Sequence, residues 1–261
     1  MHGFAVLILA GIGIGALGTL IGAGGGWMIV PLLLFGYHFS PQEAVGTSLA
    51  VVFLNALSGS LAYMVQARVL YKMGLAFAIA TIPGALVGAL LVQYLESHWF
   101  SMLFGMFLLL IAAFLHRGWQ WPFVPQTSAH ASNERLQAFR SPSMRLGIVI
   151  SFLVGVISSL FGIGGGIIHV PFLIVMLGIP VHAATATSHF VLAITSLTGT
   201  LVFFWHGQVR VPVAVGMGLG VLLGAQLGAF LSMRMPSEPI RRTLAVALAV
   251  FACWLILRTA L

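Results

Sequence analysis

The sequence predicts an all-α polytopic membrane protein made of two inverted-topology repeats, each a glycine-broken re-entrant helical element plus three transmembrane helices. Three observations lead to this fold class. The chain carries too few charged residues to coat a soluble body, the sequence repeats itself at a fixed offset of 140 residues, and a glycine cluster interrupts the first apolar run of each half.

Composition provides the first observation. Of the 261 residues, 60% are hydrophobic and only 6% are charged, whereas a soluble domain carries about 25% charged residues. Several stretches without any charged residue exceed the roughly 18 residues that indicate a membrane span; they cover 1–41, 45–67, 73–95, 98–116, 146–209 and 211–233. The chain has a single cysteine, Cys253, and no aspartate, so we expect no metal site and no cofactor.

The repeat provides the second observation. Identical residues recur 140 positions apart without a gap, from Gly15 and Gly155 to Ala89 and Ala229. The chain therefore divides into a first membrane repeat at 1–117, a polar cytoplasmic linker at 118–143 and a second membrane repeat at 144–261. The first repeat parses as 4–21, 27–39, 44–65, 74–95 and 99–117, and the second as 145–161, 167–179, 184–206, 212–232 and 240–258.

The basic residues orient the two repeats. Loops rich in Arg and Lys face the cytoplasm in membrane proteins, and here they occupy non-equivalent loops of the two halves, with Arg68 and Lys72 in one and Arg234, Arg241 and Arg242 in the other. This asymmetry predicts inverted repeats and accounts for the net charge of +7 without a nucleic-acid partner. Arg210 falls on the opposite side in this scheme.

The glycine clusters provide the third observation. Three consecutive glycines unwind a helix, and at membrane depth such a break persists only inside protein or beside a wet cavity. The freed amides of the next helix attract anions, and paired broken helices of this kind form the binding sites of secondary transporters. Close helix packing is the alternative interpretation, and we favour it for Gly84/Gly88 and Gly224/Gly228. The predicted anion site includes Gly24, Gly25, Gly26, Gly164, Gly165 and Gly166.

Polar side chains inside the apolar spans extend this candidate site. Hydroxyls at the start of one span in each half could donate to the anion, although bonding to their own helix backbone is an equal alternative. Further along the same helices, Asn55, Ser58, Thr195 and Thr198 could line the path, and Gln226 stands alone in mid-span where the first half has Leu86. The hydroxyl residues are Thr47, Ser48, Thr187 and Ser188.

Histidines are the candidates for binding the anion or for carrying protons, because imidazole titrates near neutral pH. His189 directly follows Ser188 and is the stronger candidate; His169 follows the second break. Both could instead be interhelical hydrogen-bonding groups. Glu43 belongs to a Ser40-Pro41-Gln42-Glu43 capping box, which favours a structural role over an acidic site residue.

These motifs carry a family resemblance that covers nearly the whole chain. "IGAGGGWMIVPLL" followed by "AVGTSL", and "FGIGGGIIHVPFL" followed by "ATATSH", resemble the TauE/SafE family of sulfite and organosulfonate exporters. The resemblance implies a secondary transporter of small sulfur-containing anions such as sulfite or sulfoacetate, coupled to protons. The second half departs from the pattern at Ala186 and His189, where the first half has Gly46 and Leu49.

The expected partners are a small anionic substrate, protons as the coupling ion and the lipid bilayer of a bacterial-type inner membrane; the sequence assigns no oligomeric state. Alternatives are a transporter of the same build for a carboxylate or an amino acid, an anion channel, and a membrane assembly factor. An enzyme ranks last and no catalytic residue is assigned, because the adjacent side chains of Ser188 and His189 diverge on a helix.

Overall fold

A computed structural model describes residues 2–116 and 142–234, together with the separate positions 246, 249, 250, 252 and 253. The predicted linker 118–143 lies outside the described residues except for 142 and 143, and the predicted span 240–258 lies outside them except for those separate positions. The first half contains α1 (His2–Ile21), α2 (Gly26–Pro31), α3 (Pro41–Val65), α4 (Tyr71–Leu91) and α5 (Ser97–His116).

The second half repeats these boundaries. It contains α6 (Pro142–Phe161), α7 (Gly166–Leu177), α8 (Val181–Trp205) and α9 (Val211–Leu231). The first and last residues of α3 and α4 lie 140 positions before those of α8 and α9, and α2 and α7 begin at the equivalent residues Gly26 and Gly166. A π-helical turn, Leu32–Gly36, extends α2, and a short 3₁₀ turn, Val92–Tyr94, extends α4.

Five of the described helices are long and apolar enough to cross a membrane. Each equals or exceeds the roughly 18 residues that this requires, and shorter apolar helices accompany them, including Gly26–Gly36 and Gly166–Leu177. An all-helical protein with several membrane spans is therefore confirmed for the described part of the chain. The five are Gly3–Ile21, Pro41–Val65, Tyr71–Tyr94, Val181–Trp205 and Val211–Leu231.

Glycines let two pairs of helices pack with their backbones in contact, as predicted for the i, i+4 glycines. Carbonyls of α1 face glycines of α9 in the same order along both helices: Ile8 with Gly220, Ile12 with Gly224 and Ala16 with Gly228. Carbonyls of α6 face glycines of α4 in the equivalent way: Phe152 with Gly84 and Val156 with Gly88. Both pairs run parallel, and each joins the two halves of the chain.

The helices α3 and α8 form the antiparallel centre of the molecule. Their contacts run in opposite orders along the two helices, with Gly46 against Phe203, Leu49 against Gly199 and Gly59 against His189. Since α3 and α8 are equivalent helices of the two halves, the halves meet here through equivalent segments of the chain.

The predicted capping box begins α3. The Ser40 hydroxyl accepts a hydrogen bond from the Glu43 amide at 3.3 Å, and the Glu43 carboxylate accepts one from the Ser40 amide at 3.2 Å. The other carboxylate oxygen of Glu43 forms an ion pair with Arg210. Arg210, the basic residue that contradicted the charge asymmetry, thus has an acidic partner.

Candidate functional site: two facing glycine breaks

The break between α1 and α2 is a stretch of left-handed backbone that only glycine adopts without strain. Gly24 and Gly25 have φ values of 74° and 81°, and the equivalent Gly164 and Gly165 have 81° and 80°. The two clusters therefore have the same geometry, and each ends the preceding helix and starts a new one at the following residue.

The two breaks lie against each other halfway along α3 and α8. A Cβ on Gly26 would overlap the carbonyl oxygen of Gly162, and a Cβ on Gly166 would overlap that of Gly22. Both Gly24 and Gly164 pack against Val52 and Leu192. Hence the six predicted glycines are brought together where α3 and α8 cross.

Each break leaves buried amide groups without an acceptor. Within the part of the chain that the structure describes, the three amides that open α2 and the three that open α7 donate no hydrogen bond. Buried N–H groups without a partner are rare and costly, and at the start of a helix they carry partial positive charge. These groups are suited to an anion; they belong to Gly25, Gly26, Trp27, Gly165, Gly166 and Ile167, all buried.

Two buried side-chain donors near the breaks also have no partner among the described residues. They are the indole nitrogen of Trp27 and the hydroxyl of Ser158, and the latter lies 3.4 Å from where a Cβ of Gly165 would be. Sequence reasoning missed both. The signal for Ser158 was the repeat itself, since a hydroxyl stands there in place of Gly18.

Ser48 and Ser188 are equivalent residues of the two halves, but their hydroxyls differ in their bonding. Ser48 donates to the Gly162 carbonyl at 2.7 Å, which ties α3 to the second break. Ser188 is fully buried, and no group in the described chain bonds its hydroxyl. Ser48 is therefore placed at the second break, and Ser188 is a buried hydroxyl without a partner in the described chain.

Thr47 and Thr187 face the connections between helices and not the breaks. The Thr47 hydroxyl accepts a hydrogen bond from the Arg210 amide and that of Thr187 accepts one from the Leu70 amide, each at 3.0 Å. Arg210 and Leu70 directly precede α9 and α4, so these threonines hold the starts of helices from the other half.

Asn55 and His189 meet at Thr19, which the sequence did not single out. The Thr19 hydroxyl lies 3.3 Å from Asn55 Oδ1 and 3.2 Å from His189 Nε2, and Asn55 Nδ2 donates to the Gly24 carbonyl at 3.3 Å. All three side chains are fully buried. His189 also packs edge-on against Tyr63, with 5.7 Å between the ring centroids.

The other polar candidates lie apart from this cluster. Gln226 is exposed on the outer side of α9, and its amide donates to the carbonyl and the hydroxyl of Ser58. The hydroxyl of Thr198 bonds the carbonyl one turn back in its own helix. His169 is buried next to Ser151, with 3.0 Å between its Nε2 and the serine oxygen.

The described chain thus has the features of a membrane transporter: several spans, a duplicated unit, and paired broken helices with free buried donors. The family model described as sulfite exporter TauE/SafE matches residues 7–255. The chain belongs to this family.

Curated relatives carry names of the same class. The chain is 34% identical to the probable membrane transporter protein YunE of Bacillus subtilis, over 97% of both chains. It is 28% identical to the probable membrane transporter protein MJ0441 of Methanocaldococcus jannaschii, over 97% of this chain and 95% of that one. It is 24% identical to the probable membrane transporter protein YfcA of Escherichia coli, over 90% and 83%. No solved structure matches this chain.

Proposed function

We propose that the protein is a secondary transporter that exports small sulfur-containing anions, such as sulfite or sulfoacetate, across a bacterial-type inner membrane. One observation carries the proposal: the buried amides that open α2 and α7 have no acceptor in the described chain, and the two breaks face each other. Aligned helix dipoles add positive potential at these amides. The family to which the chain belongs supports sulfite and related anions as substrates.

The surroundings of the breaks suit an anion that must be released again. Of the described acidic residues, Glu43 lies in the first turn of α3 and Glu96 in the connection before α5, so neither repels an anion at mid-depth. The described basic side chains lie at helix ends and connections. Amide and hydroxyl donors then bind the anion without a full opposite charge that would hold it tightly.

We further propose that the two repeats have inverted topology. Support comes from α3 and α8, which are equivalent in sequence and cross antiparallel, so the axis relating them lies across the helices and not along them. The charge asymmetry also supports this orientation. Arg210 falls on the opposite side, but its charge is offset by the ion pair with Glu43. The break and α2 then form the returning arm of the re-entrant element.

Purified protein in proteoliposomes is expected to catalyse saturable counterflow of labelled sulfoacetate, with sulfite as a competitor. Competition by acetate and by glycine tests the carboxylate and amino-acid alternatives in the same assay, and protein-free liposomes provide the background. Flux that does not saturate would indicate a channel. Counterflow equal to that of protein-free liposomes for every anion would sink the transporter proposal.

Proton coupling is expected to depend on His189. In this proposal the imidazole takes up a proton while it contacts Thr19 and Tyr63, so His189→Gln should remove the stimulation of flux by a pH gradient and retain counterflow at equal pH. The control is His206→Gln, because His206 is exposed and bonds its own helix backbone. Stimulation that persists in His189→Gln would remove this residue from the coupling mechanism.

A further inference from the structure

On one side of the axis that relates α3 and α8 in the proposed topology, a line of polar groups runs from the C-terminal end of α3 to the first break. Asn55, Gly59 and Tyr63 lie one turn apart on α3, and Thr19 and His189 pack against this face. The Tyr63 hydroxyl donates to the Thr19 carbonyl at 2.8 Å. Arg68 follows α3 and lies over the Tyr63 ring, 5.2 Å from its centroid. We call Thr19, Asn55, Tyr63, Arg68 and His189 the polar column.

The equivalent positions on the other side carry no ionisable side chain, and apolar residues replace two members of the polar column. A shift of 140 residues replaces His189 by Leu49, Tyr63 by Phe203 and Arg68 by Gln208. The packing is preserved, because Gly199 lies against Leu49 and Ser159 as Gly59 lies against His189 and Thr19. We call this set the apolar column, after the two residues that replace His189 and Tyr63, although it keeps two hydroxyls and one amide; its members are Leu49, Ser159, Thr195, Phe203 and Gln208.

The two columns also differ in how they meet the breaks. Asn55 donates to the Gly24 carbonyl, so the polar column reaches the backbone of the first break. Its counterpart Thr195 bonds the Val191 carbonyl in its own helix and the Thr81 hydroxyl. The apolar column has no such bond to a break among the described residues.

The outer ends of the columns differ in charge. Arg68 is half-buried and donates to the side-chain amide oxygen of Gln66 at 2.7 Å and to the Ser232 hydroxyl at 3.2 Å. No carboxylate of the described chain pairs with it. At the opposite end Gln208 bonds Gln93, and the nearby Arg210 is paired with Glu43. A guanidinium keeps its charge at neutral pH even when partly buried. Of the outer ends of the two columns, therefore, only the one at Arg68 carries a cation without a carboxylate partner among the described residues.

From these differences we infer that the anion passes between solution and the breaks along the polar column, with Arg68 as its first binding residue, while the apolar column seals the other side. This inference rests on the proposed function for the identity of the anion. At membrane depth water and ions follow polar surfaces, and a partly buried cation raises the local concentration of anions. The Arg68 end is the cytoplasmic end in the proposed topology.

Cysteine labelling tests the route without requiring transport. In a Cys253→Ser background, Thr19→Cys and Ser159→Cys place thiols at equivalent, fully buried positions and are probed with an anionic methanethiosulfonate reagent. In inside-out vesicles Thr19→Cys should react at least about tenfold faster than Ser159→Cys, a difference of ~1.4 kcal/mol in the free energy of access. Its reaction should be slower in right-side-out vesicles.

Equal rates for the two thiols, or a faster rate for Ser159→Cys, would overturn the inference. If either variant fails to fold, Tyr63→Cys and Phe203→Cys form a second equivalent pair. Labelling that follows the expected pattern in a protein without sulfoacetate or sulfite flux would retain the route and reject the proposed substrate. A failure of the proposed route and a failure of the proposed substrate therefore give different results.

Arg68→Gln copies the residue of the apolar column and tests the binding role of the guanidinium. We expect the KM for the transported anion to rise about three- to tenfold with little change in maximal rate, since a partly screened charge is lost at the first binding step. The control Arg210→Gln should leave KM unchanged. A KM unaltered by Arg68→Gln would remove Arg68 from the route.

Discussion

Gly166→Ala is expected to lower the transport rate by at least about tenfold, because the added methyl group forces the two breaks apart. A Cβ there would overlap the Gly22 carbonyl oxygen and lie 2.9 Å from the Cα of Ala23. Both are backbone atoms, which cannot rotate away, and overpacking of this kind costs about 1–3 kcal/mol. Gly166 does not have a positive φ, so the effect is steric and not conformational.

Gly26→Ala provides the equivalent test in the first half. Its Cβ would overlap the Gly162 carbonyl oxygen and lie 2.7 Å from the Cα of Ile163, so counterflow should fall by a similar factor. Gly13→Ala is the matched control, because nothing lies within 4 Å of a Cβ there. Full counterflow in both Gly166→Ala and Gly26→Ala, with unchanged KM, would show that the anion does not bind between the breaks.

Local sequence signals predicted the elements of this fold well because each depends on short-range chemistry. Apolar length gave the spans, glycine clusters gave the breaks, and Ser40 to Glu43 gave the start of α3. The fixed offset also predicted the repeated helix boundaries. The span Gly3–Ile21, assigned to the entering arm of a re-entrant element, is itself long enough to cross a membrane.

These local sequence signals did not predict the contacts between the two halves. Thr47 directly follows Gly46 in the "AVGTSL" motif, yet its hydroxyl accepts a hydrogen bond from the Arg210 amide, 163 positions away in sequence. Likewise, the partner of His189 is Thr19, on a helix of the other half. Such pairings depend on how α3 and α8 cross, and the spacing of residues along one helix does not determine this.

The repeat helps to interpret these contacts once the crossing is known. At offset 140 Leu70 becomes Arg210 and Thr187 becomes Thr47, so the two threonine contacts are the same structural bond made twice. The change from Leu49 to His189 is different, because it breaks the symmetry in the interior. Equivalent residues therefore report on packing, and non-equivalent residues such as His189 and Arg68 are the stronger candidates for function.

Gly84→Ala and Gly224→Ala are expected to destabilise the protein without altering how it binds the anion. A Cβ at Gly224 would overlap the Ile12 carbonyl oxygen, and one at Gly84 would overlap the equivalent Phe152 oxygen. At a cost of about 1–3 kcal/mol, and with a shift of 2–4 °C for each kcal/mol in a protein of this size, the apparent Tm in detergent should fall by roughly 2–12 °C.

The two losses should be similar and additive in the double variant, because the α1–α9 and α4–α6 contacts are separate and equivalent. Gly13→Ala should keep or raise the Tm, since alanine favours a helix by about 1 kcal/mol over glycine. The KM of the folded fraction should remain that of the parent protein. A large loss at only one of Gly84 and Gly224 would contradict equivalent packing, and a raised KM would link these helix pairs to the anion site.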